Sequence, residues 1–309
     1  MFPDFLPQEI YSLENSESIF LSQNIKRHPI PTLLTQNPNH EAHIFEIATA
    51  CVKIGTGSPP ILLLHGFDSS ILEFRRLIPL LAARQETWAV DLLGSGFTER
   101  LPNITYNPQT LKEHLYSFWQ TLIDRPVILV GISMGGATAI DFTLTHPEAV
   151  QKLVLVNSVG FTGGFPLGTK LPDIAIALMV EFWRQRRIQG LFWGKMLGML
   201  DFPTEDVIRC AALPSSMPNW TKAINDFTRS GGYYQLKERI REVSKPTLIL
   251  WGEKDDVIGT KDAELFRDAI ADSRLVWLQG LNHSPHWEKP ELVAQLILEF
   301  INEKFLVDN

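Results

Sequence analysis

From residue 43 onward the chain alternates short apolar runs with amphipathic stretches. "HIFEIATACVKI" (43–54) alternates apolar and polar positions as an edge strand does. "PILLLHGF" (60–67) is a continuous apolar run ending in Gly, the pattern of a strand buried on both faces. Helical periodicity follows over 71–84, then a strand over 87–92, a helix over 108–123 and a strand over 126–131. A helix over 135–147 and a strand over 151–158 continue the series. Between 160 and 236 the alternation breaks into Gly-, Pro-, Trp- and Phe-rich segments with helical pieces and no strand. It resumes as strand 246–252, helix 261–270, strand 274–279 and helix 291–305. Strands alternating with helices predict an α/β fold, a mostly parallel twisted sheet with helices on both faces. The predicted organisation is an N-terminal extension (1–42), a core made of 43–159 and 237–309, and a helical cap inserted at 160–236.

Composition narrows the function. The chain has 309 residues, 45% hydrophobic and 20% charged, with a net charge of −7. Such a chain fills an ordinary core and lacks the basic face of a nucleic-acid binder. Its two cysteines, Cys51 and Cys210, form neither a disulfide framework nor a thiolate metal motif. Nothing reads as a secretory leader or a run long enough to span a bilayer, so a cytoplasmic protein is expected.

"GISMGG" (131–136) follows an apolar strand and leads into a helix. In that context Gly-x-Ser-x-Gly forces the serine into a strained turn, with Gly131 and Gly135 removing the side chains that would clash. Ser133 is therefore the candidate nucleophile. A serine hydroxyl needs a base and the base needs an orienting group. Two histidines, His283 and His286, lie in "NHSPHWEKP" (282–290). A zinc-binding pair on a helix is spaced by four; here the spacing is three and Pro285 intervenes, so metal binding is not expected.

These motifs, in this order, resemble the α/β-hydrolase family: "HGF" (65–67), "DLLGSG" (91–96), "GISMGG", "WGEKD" (251–255) and "NHSPHWEKP". The resemblance spans about residues 43–305. It implies His283 as base and Asp255 as the orienting acid, with Asp256 as competitor and Asn157 unable to carry the charge at the other position some relatives use. It implies an oxyanion hole from the backbone N–H groups of Phe67 and Met134. Asn282 replaces the usual Gly, and Asn tolerates positive φ better than most residues. His65, Asp68, Phe161, Trp183 and His286 are the expected substrate-binding residues, His65 through its shaping of the oxyanion loop. Asp91 is expected to tie down its own loop. No cofactor is implied.

The activity expected is hydrolysis of a small or medium hydrophobic carboxylic ester through an acyl-enzyme. Amide, thioester, carbon–carbon or peroxy-acid chemistry on the same residues is an alternative, and a non-catalytic ligand-binding receptor is another. "LPDIAIALMVEFWRQRRIQGLFWGKMLGML" (171–200) reads either as a lid enclosing an apolar substrate or as simple packing of Phe182, Trp183, Phe192 and Trp193. A third reading rests this helix on a membrane surface, with Arg184, Arg186 and Arg187 at the headgroups.

Overall fold

The computed structural model describes residues 1–35, 42–182, 185 and 204–303. Eight strands form one sheet: β1 (Lys26–Leu34), β2 (His43–Ile54), β3 (Ile61–Leu64), β4 (Thr87–Val90), β5 (Val127–Ile132), β6 (Val150–Val156), β7 (Thr247–Gly252) and β8 (Ser273–Leu278). Their order is β1-β2-β4-β3-β5-β6-β7-β8. β1, β2 and β4 pair antiparallel, and every pairing from β4 through β8 is parallel.

The continuous apolar runs become strands covered on both sides, and alternation decides which side each residue fills. On β3, Leu62 and Leu64 join one core cluster with Trp88, Leu129, Leu153 and Trp251. Ile61 and Leu63 join a second cluster on the opposite face with Ile128, Val130, Val154 and Leu248. The helices Pro108–Leu122 and Met134–Thr145 pack on the first face. The helices Leu77–Ala82 and Pro290–Asn302 pack on the second. "NPQT" opens the 108–122 helix for a local reason. Asn107 accepts the Thr110 N–H, the Thr110 side chain returns to the Asn107 N–H, and Pro108 takes the first-turn position.

Residues 1–35 do not stand apart from the core. β1 runs along all nine residues Lys26–Leu34 beside β2, so β2 is not the sheet's edge. Pro29 and Pro31 suit an outer strand: two residues apart, they put both missing N–H groups on one side. Ahead of it, Leu6, Ile10, Leu13, Leu21 and Ile25 are buried in the second core cluster. The buried carboxylate of Asp206 accepts the backbone N–H groups of Glu14 (3.2 Å) and Asn15 (2.6 Å). The extension is thereby fastened to the helix Thr204–Ala212.

Between β6 and β7 the described residues carry no strand. Residues 173–182 are helical, as are Thr204–Ala212 and Trp220–Arg229. Ile176, Val180, Trp220 and Ile224 form a small apolar cluster of their own against Phe67. Strand order reverses at β3, with β4 on one side and β5 on the other, the place where ligands bind in open α/β sheets.

Candidate active site

Ser133 sits between β5 and the helix Met134–Thr145 at φ 53° and ψ −117°, a strained conformation for a residue with a Cβ. Two close approaches make the turn possible. A methyl on Gly131 would lie 2.3 Å from the Gly135 carbonyl oxygen, and one on Gly135 would lie 2.2 Å from that of Leu64. The strained residue is held by its backbone: Ser133 N–H donates to Val156 O, and Ser133 O accepts from Gly136 and Val159, each at 3.0 Å. Its neighbours Ile132 and Met134 are buried, while Ser133 is partly exposed.

Ser133 Oγ is 3.1 Å from His283 Nε2. His283 Nδ1 is 2.9 Å from Asp255 Oδ2. Asp255 lies at the end of β7 and is buried, whereas Asp256 is exposed. The same Asp255 oxygen accepts the Asn157 side-chain amide at 2.5 Å. Its other oxygen accepts the backbone N–H groups of Val257 (2.9 Å) and Ile258 (3.1 Å). Burial pushes this carboxyl up, but the hydrogen bond and charge of His283, the Asn157 amide and the Ile258 N–H outweigh it. Asp255 is thus held below the usual carboxylate range. A carboxylate so fixed orients the imidazole, and the imidazole can take the serine proton.

The loop after β3 approaches Ser133 directly: a methyl on Gly66 would lie 3.6 Å from Ser133 Cβ. Met134 opens its helix, so its N–H has no partner within that helix. Phe67 packs against Phe165 and Phe227 at centroid distances of 5.2 and 5.8 Å. With Leu93, Tyr106, Met134 and Ala223, the rings of Phe67 and Phe227 line a narrow apolar cleft. A wider, open groove between the helices Leu77–Ala82 and Pro290–Asn302 contains none of these residues.

Four of the five expected substrate-binding residues lie among the described residues, and each has protein partners. His65 is fully buried; its Nδ1 donates to Gly66 O (2.8 Å) and its Nε2 accepts the Leu92 N–H (3.1 Å), so the ring ties together the loops after β3 and β4. His286 is also buried, 3.3 Å from Glu73 Oε1. Asp68, at φ 51°, accepts the Trp220 indole N–H at 2.8 Å and so pins the helix Trp220–Arg229. Phe161 turns edge-on to Phe266, 5.0 Å away. Trp183 lies outside the described residues, as do Arg184, Arg186, Arg187, Phe192 and Trp193. Asn282 is not in the left-handed region; the turn before His283 is made at Gly280 (φ 72°). Asn282 N–H and side-chain amide donate to Glu288, which holds the base-bearing loop closed.

Several residues escaped the sequence reading. Asn157, set aside as uncharged, contacts the acid directly. Glu73, Phe165 and Phe227 surround the loop after β3. Glu73 had one signal, a carboxylate inside the apolar run "ILEF". Asp91 does tie down its loop: it accepts the N–H groups of Ile71 (2.6 Å) and Phe97 (2.7 Å). Burial raises its carboxyl to about 6 against the opposing pull of those N–H groups. No group of His, Cys, Asp and Glu side chains among the described residues could hold a metal ion. Nor is any described helix long and apolar enough to cross a membrane.

A mostly parallel sheet covered on both faces, with a strained serine after β5 and an Asp–His pair after β7 and β8, defines a hydrolase architecture. Residues 59–290 match the family model of the alpha/beta hydrolase fold, and the chain belongs to that family. It is 34% identical to the alpha/beta hydrolase domain-containing protein VTE7 of Arabidopsis thaliana, over 98% of this chain and 91% of that one. It is 29% identical to a 2-hydroxy-6-oxo-6-(2'-aminophenyl)hexa-2,4-dienoic acid hydrolase of Metapseudomonas resinovorans, covering 84% of this chain and 89% of the relative. Among solved structures, a thermophilic esterase from Thermogutta terrifontis shares the fold at a TM-score of 0.72 and 23% identity, over 89% of this chain and 98% of its own. The chain is an α/β-fold hydrolase.

Proposed function

We propose that the chain is a serine hydrolase that cleaves a small or medium, apolar carboxylic ester through an acyl-enzyme on Ser133. The observation that carries this is the continuous path from Ser133 Oγ through both nitrogens of His283 to Asp255, set at a strained turn. In this reading His283 Nε2 takes the hydroxyl proton as Oγ attacks the ester carbonyl. The developing oxyanion faces the N–H groups of Met134 and Phe67. His283 then gives its proton to the leaving alkoxide, and water repeats the sequence to release the acid.

The described segment between β6 and β7 acts in this reading as the helical cap, and the rings of Phe67 and Phe227 receive the apolar part of the substrate. An ester is the first reading because a serine hydroxyl paired with an oriented imidazole is suited to acyl transfer. Carbon–carbon cleavage is the second reading, favoured by the Metapseudomonas relative. The partner expected is a small molecule, with no nucleic acid, and the site of action expected is the cytoplasm. A fluorophosphonate probe should label the wild type and spare Ser133→Ala, with kcat down by about 10⁶ in that variant. Nitrophenyl esters from acetate to laurate, assayed beside a 2-hydroxy-6-oxo-dienoate, separate the two bond types. Labelling that persists without Ser133, or turnover of the dienoate alone, overturns the ester reading.

A further inference from the structure

Beneath the loop that follows β3 lies a carboxylate the reaction does not use. Glu73 is 6% exposed, and its two oxygens stand 3.4 and 3.3 Å from the Gly66 N–H. On its other side His286 Nε2 approaches Oε1 to 3.3 Å, close enough for charge pairing though the ring N–H is not aligned for a full hydrogen bond. The neighbouring Trp287 indole donates to the Glu73 carbonyl at 2.7 Å, and Arg76 donates to the Trp287 carbonyl. His283 and His286 belong to one loop, and Gly66 and Phe67 to another. Glu73 is where the two loops are joined.

The placement needs an explanation, because a buried anion costs free energy and this one sits close to where negative charge would develop. Burial would push its carboxyl up. The nearby His286 ring and the Ser69 hydroxyl bring it instead to about 2, so it is ionised. An ionised acceptor under Gly66 fixes the peptide next to Phe67, and His286 packs against its far side at 3.3 Å. We propose that Glu73, with His286 as its counter-group, is a positioning residue that holds the loop carrying the Phe67 N–H against Ser133. This rests on the acyl-transfer reading for its catalytic consequence, but not for its structural one.

The test compares Glu73→Met, which keeps the volume and removes the acceptor, with Glu73→Gln, which keeps an acceptor oxygen. Lys152→Ala is the control. Lys152 Nζ donates to the carbonyls of Phe300, Ile301 and Glu303 at the end of the last helix, so its loss destabilises the fold elsewhere. Hydrogen exchange of the amides at 65–68 should quicken at least ~10-fold in Glu73→Met and stay near wild type in Glu73→Gln and Lys152→Ala. On a nitrophenyl ester, Glu73→Met should lose about 10- to 100-fold in kcat with KM nearly unchanged, less than the loss of a whole oxyanion donor. Glu73→Gln should recover most of it. If Glu73→Met does not fold, His286→Phe is read instead: kcat falls while KM holds.

Wild-type exchange at 65–68 in Glu73→Met overturns the proposal. So does a kcat loss no larger than that of Lys152→Ala, or an unchanged kcat in His286→Phe. A wild type that neither turns over esters nor takes the fluorophosphonate sinks the acyl-transfer reading instead, and the exchange arm still decides the role of Glu73.

Discussion

Asn157→Ala tests how the acid is held. Asn157 is fully buried at the end of β6, and its amide donates to Asp255 Oδ2 at 2.5 Å and to Asn282 O at 3.3 Å. Its own oxygen accepts the Gly252 N–H at 3.1 Å. Truncation removes one hydrogen bond to a charged group, worth about 1.5–3 kcal/mol, and orphans a buried N–H, which costs about 1–3 kcal/mol. The terms share a site and do not simply add, so a loss of about 3 kcal/mol is expected in urea unfolding. Asp255 keeps His283 and two backbone donors, so kcat on an ester should fall about tenfold, far less than the ~10⁴ for loss of the acid. Removing a donor to the ionised form raises the Asp255 pKa. Its contribution to stability, present above the ordinary carboxylate value and lost as pH falls through the depressed one, should then disappear at a higher pH than in the wild type. A destabilisation under about 1 kcal/mol, or a kcat as low as that of Asp255→Asn, would refute the assignment of Asn157 as the group that orients the acid.

Asp255→Asn should lower kcat by about 10⁴ while Asp256→Asn, at an exposed position, stays within twofold and shifts stability by less than about 0.5 kcal/mol; steady-state kinetics and urea melts check both. Asp91 carries the opposite pH sign to Asp255. Its folded carboxyl is raised to about 6, so its contribution is fully present below its unfolded value and lost as pH rises through about 6. The stability gap between wild type and Asp91→Asn should therefore shrink by about 1 kcal/mol from pH 5 to pH 7, measured by chemical denaturation at each pH. Gly135→Ala drives a methyl to 2.2 Å from Leu64 O and should cost about 3 kcal/mol or prevent folding, read from soluble yield and thermal melting.

Much of the site could be read from sequence because its constraints are local. Gly131, Ser133 and Gly135 encode a backbone conformation, and only a strand-to-helix turn uses it. The parallel strands were legible for the same kind of reason, being unbroken apolar runs bounded by Gly. What escaped depends on contacts between distant segments. β1 was hidden because "KRHPIPTLL" carries two prolines, which argue against a strand until it is known to be an outer one. His65 and His286 were placed on the right loops, but sequence says nothing of which way a ring turns, and both turn inward. Of Asp255 and Asp256 it is Asp255 that is buried and meets His283, a difference two adjacent identical side chains do not reveal in sequence.

Asn157 shows why a missing charge in sequence need not be a missing function. β6 and β7 are parallel neighbours, with Val156 beside Leu250, so the residues that follow them emerge side by side above the sheet. A side chain from either strand end can therefore reach the region of His283. With the carboxylate on the β7 side, a second one on the β6 side would face it at hydrogen-bonding distance, and the two could not both ionise. An amide there does the reverse: one end donates to the charge and the other accepts the Gly252 N–H of the strand that bears it. The asparagine is the residue type that supplies both at once. It follows that the two positions constrain each other, and an acid restored at 157 should be tolerated only when 255 gives its own up.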